Sequence, residues 1–167
     1  TKARDGQAGT VNAPLPANIS VTVRDQNGDP MGGVTVNFTV TAGGGRTVGT
    51  SAVTTAQGVA SVIWTLGPAS GSNNNSVTAG MTGYSGPVPT FTASANPGSL
   101  ARLATPGGDT HTGEVVQALP VTLKVLAQDA LGNPVVGASI NWNVIGGRGT
   151  SSPSSSLTDA SGVATTV

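Results

Sequence analysis

Asp25-Gln26-Asn27-Gly28-Asp29-Pro30 and Asp129-Ala130-Leu131-Gly132-Asn133-Pro134 stand 104 residues apart, and their likeness decides the fold. In each, an acid opens a tight turn, a glycine supplies positive φ, and a proline stiffens the exit. The same shift superposes residues 5–63 on 109–167 without a gap, with 20 of those 59 positions identical. Gly33 falls on Gly137, Asn37 on Asn141, Val40 on Val144, and Gly58-Val59-Ala60 on Gly162-Val163-Ala164. Two copies of one module are present.

Alternation around these turns says what the module is. Ile19, Val21 and Val23 point one way while Ser20, Thr22 and Arg24 point the other, the pattern of a half-buried strand. Val34, Val36, Phe38 and Val40 repeat it, as do Ala138, Ile140, Trp142 and Val144 in the second copy. Further inward sets are Ala60, Val62, Trp64 and Leu66, then Val77, Ala79 and Met81, then Phe91, Ala93 and Ala95. Turn signals separate the runs, and no stretch carries a helical period. Short strands with one apolar face predict an all-β chain of tandem antiparallel β-sandwiches. The structural residues so assigned are the rings Phe38, Trp64, Phe91 and Trp142 and the turn residues Gly28, Pro30, Gly33, Gly132, Pro134 and Gly137.

The run Leu15-Pro16, Asp25-x-x-Gly28-x-Pro30-x-x-Gly33-Val34-x-Val36-x-Phe38-x-Val40, Gly43-Gly44-Gly45 and Gly58-Val59-Ala60-x-x-x-Trp64-x-Leu66-Gly67 resembles bacterial immunoglobulin-like domains of the invasin and intimin group. Leu119-Pro120, Asp129-x-x-Gly132-x-Pro134-x-x-Gly137 and Gly162-Val163-Ala164 carry the likeness through the second copy. The resemblance implies immunoglobulin-like sandwiches, usually tandem stalks of surface adhesins and sometimes accessory domains of secreted enzymes. Its motifs are turn and core residues, specific for a fold and unspecific for a function.

The period assigns residues 1–96 to the first copy and 97–167 to the second, joined through Ala95-Asn96-Pro97-Gly98-Ser99. A short linker with proline predicts semi-rigid stacking. Leu100-Ala101-Arg102-Leu103-Ala104-Thr105 has the pattern of a first strand that the first copy is expected to lack, and polar, glycine-containing residues 1–9 make a poor alternating donor strand for a neighbour. The second copy stops at the counterpart of Ile63, so it is expected to lack its C-terminal strands and to expose an apolar groove and an open edge. A longer array, strands supplied by a neighbouring subunit, and a permuted sandwich each account for that gap.

Composition discourages catalysis. The chain has no cysteine and one histidine, His111, which removes disulfides, thiolate sites and most zinc or general-base chemistry. Seven basic residues balance seven acidic ones, so no net field favours nucleic acid. Only 8% of residues are charged, against roughly 25% in ordinary soluble domains. No apolar run is long enough to insert in a membrane, and the start of the chain is not a signal peptide.

Asp25, Asn27 and Asp29 have the oxygen spacing that opens a calcium loop, but no glutamate closes it, and Leu131 replaces the middle oxygen in the second copy. A turn is the preferred reading, with no metal and no cofactor. Three sequons, at Asn18, Asn37 and Asn74, match chance expectation for so many serines and threonines. Arg46 and Arg148 beside glycine-rich tips are solvated loop charges or contacts to a partner. His111 is assigned to the surface.

The function that follows is structural: a non-catalytic module of a bacterial extracellular or surface protein, serving as adhesin stalk or filament. Its partners are neighbouring repeats or identical subunits, with a host or surface ligand reached through loops. One alternative is a filament subunit assembled by strand donation. Another, from a different class, is a carbohydrate-binding accessory module, for which Tyr84 is the one ring not assigned inward.

Overall fold

The alternating runs pair as strands throughout the described residues, 1–106 and 110–167, of a computed structural model. Two compact units form, Thr1–Asn96 and Pro97–Val167, with no helix among the described residues. In the first, β1 (Lys2–Ala3), β3 (Ile19–Thr22) and β7 (Val59–Val62) make a sheet in the order β1-β3-β7. Facing it, β2 (Gln7–Thr10), β4 (Thr35–Ala42), β6 (Ser51–Val53), β9 (Gly71–Gly80) and β10 (Thr90–Asn96) make a second, ordered β2-β10-β9-β4-β6. A ribbon of β5 (Arg46–Thr47) and β8 (Trp64–Thr65) lies alongside. Asn96, expected in the linker, is the last residue of β10.

The inner faces enclose one core. Ile19, Val21, Ala60 and Val62 from the first sheet meet Val36, Phe38, Val77, Ala79, Phe91 and Ala93 from the second. Phe38, Trp64 and Phe91 are its largest buried side chains, as alternation predicts. Burying rings of this size contributes on the order of 2–3 kcal/mol each.

The polar start of the chain forms two short strands. Lys2 faces Val21 and Ala3 faces Ser20 in antiparallel register, so a short strand that alternation does not predict occupies part of the edge beside β3. Arg4 and Gly6 then take positive φ (66° and 68°), and the chain crosses to run parallel to β10 as β2. Asp5 pins the crossing by accepting from Thr92 N–H at 2.8 Å and pairing with Lys2. Polarity hid these strands because both are short and are held by backbone pairing and not by an apolar face.

The second unit repeats the framework in smaller compass. Its sheet runs β11 (Arg102–Ala104), β12 (Leu123–Gln128), β15 (Val163–Thr166), and a separate pair joins β13 (Ser139–Asn141) to β14 (Ser155–Leu157). The 104-residue shift places β12, β13, β14 and β15 on β3, β4, β6 and β7; β1, β2, β5, β8, β9 and β10 match no strand among the described residues of this unit. Its buried core is Ala127, Ile140 and Ala164, with Val135, Ala138 and Trp142 packed against them. Trp142, expected as a central ring, is half-buried, and Val144, expected inward, is 49% exposed. Both lie past the end of β13 at Asn141, where among the described residues that strand pairs only β14.

What the two units share most closely is the meeting of two turns. The turn opened by Asp25 joins β3 to β4, and the turn at Thr55–Gly58 joins β6 to β7. Val23 N–H donates to Gly58 O at 2.8 Å, and Met31 N–H donates to Val23 O at 3.1 Å. The counterparts, Ala127 to Gly162 and Val135 to Ala127, measure 2.8 and 2.9 Å. Gly58 (φ 73°) packs so tightly that an added Cβ would stand 2.4 Å from Val23 O and 3.1 Å from Met31 N. Gly33 also has positive φ (79°), yet nothing lies within 4 Å of its added Cβ.

These two glycines separate steric from conformational cost. Gly58→Ala should destabilise the first unit by about 3 kcal/mol, from φ strain and the clash together. Gly33→Ala should cost about 1 kcal/mol, from φ alone. Denaturant melts of the two variants check this; equal losses would show that close packing at Gly58 is unimportant.

Candidate functional site

The residues singled out for a metal form a closed turn. Asp25 Oδ1 accepts from Asn27 N–H and Asp29 N–H, both at 2.9 Å, and Asp29 O accepts from Asp25 N–H at 2.9 Å. Arg24 Nη1 donates to Gly28 O at 2.6 Å. Asn27 and Asp29 therefore enter the arrangement through their backbone amides. No three His, Asp or Glu side chains converge on a point among the described residues. Gly28 and Gly132 both have φ of 90°, the left-handed geometry this turn requires.

The second copy keeps the turn and buries it. Asp129 Oδ1 accepts from Leu131 N–H and Asn133 N–H at 2.8 Å, while Oδ2 accepts from Gly98 N–H and Asn133 Nδ2 at 2.9 Å. Asp129 is 1% exposed, whereas Asp25 is exposed. Burial alone raises a carboxyl's pKa, but the Asn133 side chain and the amides of Gly98, Asn133 and Leu131 outweigh it, lowering the value to about 2. The carboxylate thus ties the segment entering the unit to the turn between its strands.

Two further polar positions were not legible from motif patterns. Thr54, 5% exposed, accepts from Val34 N–H at 2.9 Å through Oγ1 and donates to Met31 O at 2.6 Å. Thr158 repeats both bonds, with Ala138 N–H at 2.8 Å and Val135 O at 2.6 Å. Their identity under the 104-residue shift was the available signal. Asn75, fully buried, accepts from Gly67 N–H at 2.9 Å and so fastens the ribbon's exit to β9. Burial also holds up the pKa of Asp5, but its bonds from Lys2 and Thr92 and the Lys2 charge lower it overall. Asp109, the repeat counterpart of Asp5, lies outside the described residues.

The remaining candidates are scattered. Arg46 lies in β5, exposed, and Arg148 is exposed in a loop. His111 is half-buried, with Nε2 enclosed, and so is not the solvated surface residue expected. The Asn74 side chain donates to Ala69 O at 2.7 Å. Tyr84 is 46% exposed and overlooks a cavity of about 430 Å³ at one end of the first unit. Val21, Val23, Val36, Met81 and Val88 make its apolar lining, and Arg24 also lines it. Pro30 and Pro134 back the glycines of the facing turns, and Gly137 opens the entry to β13. No nucleophile, base and oxyanion donor come together at any of these places.

No family model matches the chain. Over 157 residues, 93% of its length, it is 29% identical to the inverse autotransporter adhesin YeeJ of Escherichia coli (strain K12), of which it spans 7%. Among solved structures it is similar to InvD of Yersinia pseudotuberculosis, with TM-score 0.51 and 24% identity over 95% of this chain and 45% of that one. The D0-D1 domain of intimin is similar at TM-score 0.44 and 19% identity, covering 99% of this chain and 82% of that one. The InvD likeness shows the fold. The resemblance to immunoglobulin-like domains of the invasin and intimin group holds.

The Asp129 carboxylate sets an acid limit on the second unit. Its folded pKa lies below the ordinary value of 3.8, so its stabilisation is full above about pH 4 and is lost as pH falls through about 2. Asp129→Asn should cost about 1–2 kcal/mol at pH 7 and flatten the stability profile between pH 4 and 2. Urea melts at stepped pH check this; an unchanged profile would remove Asp129 from the acid response. Thr54→Val should cost about 2–3 kcal/mol, because it strands a buried amide and a buried carbonyl.

Proposed function

We propose that the chain is a non-catalytic, tandem immunoglobulin-like module of a bacterial surface protein, acting as a stalk that holds other parts away from the cell. The observation that carries this is the repeated pair of turns. Identical residues of the two copies at Asp25, Gly28, Thr54 and Gly58 and their counterparts are spent on backbone geometry. Repeating one self-supporting framework at a fixed period is how extended arrays are built. Likeness to a surface adhesin of which the chain spans 7% supports an extracellular location and one module among many. Partners in this reading are adjoining repeats, with any host or surface ligand met by loops.

A second reading, strand donation into the second unit, rests on one observation. In the first unit β4 pairs β6 on one side and β9 on the other, whereas β13 pairs only β14 among the described residues. Ile145, just past β13, is fully exposed. An open edge with apolar neighbours is a template for another strand.

The carbohydrate-binding reading loses support. Phe38, Trp64 and Phe91 are buried, so no row of exposed rings exists among the described residues to stack on sugars.

Three measurements separate these readings. Joining copies in the 104-residue register should lengthen particles in electron micrographs by a constant increment per copy. Clusters without linear growth would overturn the stalk. Fibres formed by the single chain, absent after Ile145→Lys, would favour strand donation. A glycan panel should give no retention; a hit abolished by Tyr84→Ala would restore the sugar-binding reading.

A further inference from the structure

Eleven asparagines are present, and Asn27 alone is followed by glycine. The pair lies in the turn between β3 and β4, where the second copy has Leu131-Gly132. Both turns keep the same carboxylate-to-amide bonds and the same glycine φ of 90°. They differ at this step in chemistry and not in backbone course.

A backbone nitrogen that attacks the side-chain amide carbon of the preceding residue closes a five-membered ring. A side chain on the attacking residue crowds that closure, and glycine removes it. Asn27 is exposed, and its side chain takes no hydrogen bond among those described. Nothing lies within 4 Å of a Cβ added to Gly28, so the ring has room to form. Gly28 N–H donates to Asp25 O at 3.2 Å, the longest bond of the turn and so the first to open as the turn fluctuates.

Other candidates lack one or more of these features. Asn96 and Asn133 precede proline, whose nitrogen carries no hydrogen. Asn75 is fully buried and accepts from Gly67 N–H, and the Asn74 side chain donates to Ala69 O. Asp5-Gly6 supplies the glycine, but the Asp5 carboxylate accepts from Thr92 N–H and pairs with Lys2, which keeps it ionised. An anion is a poor acceptor for a nucleophile.

We propose that Asn27 is a site of spontaneous deamidation, and that its isoaspartate product loosens the first unit's turn. The Gly28 nitrogen gives its proton to hydroxide and bonds Asn27 Cγ, and Nδ2 takes a proton from water and leaves as ammonia. Water then opens the resulting succinimide. Breaking the bond from nitrogen to Cγ gives aspartate with the ordinary backbone. Breaking the bond from nitrogen to the main-chain carbonyl carbon gives isoaspartate, with the chain running through Cβ and Cγ. The net change consumes one water, releases one ammonia and leaves a carboxylate.

Isoaspartate inserts one atom into the backbone ahead of Gly28. The bonds from Asp29 N–H to Asp25 Oδ1 and from Asp25 N–H to Asp29 O span that point and are displaced. The approach of Met31 to Val23 follows two residues on. Leu131 has no amide, so the second copy keeps its turn unchanged. None of this depends on the stalk reading.

The test ages the full chain in warm, mildly alkaline buffer and maps it by peptide mass spectrometry. A gain of about 1 Da should accumulate at Asn27 about tenfold faster than at exposed Asn37, which precedes phenylalanine. Part of the product should accept a methyl group from an isoaspartyl methyltransferase. The aged chain's first transition should fall by on the order of 3 °C, with the second unit's unchanged. Asn27→Leu, carrying the residue the second copy already has, should show neither change. Asn27→Asp adds the charge without the extra backbone atom and should melt within about 1 °C of the fresh chain. Modification at Asn27 no faster than at Asn37, or an aged chain that melts like the fresh one, overturns the proposal. A fall that Asn27→Asp reproduces in full would come from charge and overturns it too.

Discussion

Where the turn between β3 and β4 meets the turn between β6 and β7, backbone lies directly on backbone, and a side chain there has no space. Gly58 stands against Val23 O and Met31 N, and Gly162 against Ala127 O and Pro134. That approach sets the separation of the connections, and through them the pairing of β3 with β7 and the entry angle of β4. Thr54 and Thr158 lie one step away and close the remaining amide and carbonyl. The lock is the same in both units although their cores differ widely, from fifteen buried apolar residues in one to three in the other. Turn geometry, and not core size, is what the repeat preserves.

Few charges are consistent with this economy. The acids with the clearest roles are used against backbone: Asp5 on Thr92, Asp25 on its own turn, Asp129 on Gly98 and Asn133. A carboxylate that accepts several amide bonds orders a loop more effectively than a solvated ion pair does, because its partners are already fixed in the chain. Such an arrangement fixes the shape of the loops it caps.

Much of this was legible in advance. Alternation placed Phe38, Trp64 and Phe91 in the core, and the paired Asp-x-x-Gly-x-Pro stretches located both turns, because steric rules and amide capping act within a few residues. Three things were missed. Polar strands at Lys2–Ala3 and Gln7–Thr10 carry almost no periodic signal, since backbone pairing holds them. Trp142 and Val144 follow the right alternation, yet burial depends on neighbouring strands, and among the described residues β13 pairs only β14 and ends at Asn141. Thr54 looks like any strand threonine until its partners 20 and 23 residues away are known.

The sequence by itself determined the module, its 104-residue period and the conformation of its turns, because these follow from φ preferences, short-range hydrogen bonds and the two-residue period of a strand. Only the tertiary structure decided which of two equivalent aspartates is buried, where the chain crosses between sheets, and which end of the first unit stands open. Those outcomes turn on contacts such as Gly98 with Asp129, 31 residues apart, and Asp5 with Thr92, 87 apart. Local pattern carries no information about such meetings, since the free energy that makes them belongs to packing of the whole unit.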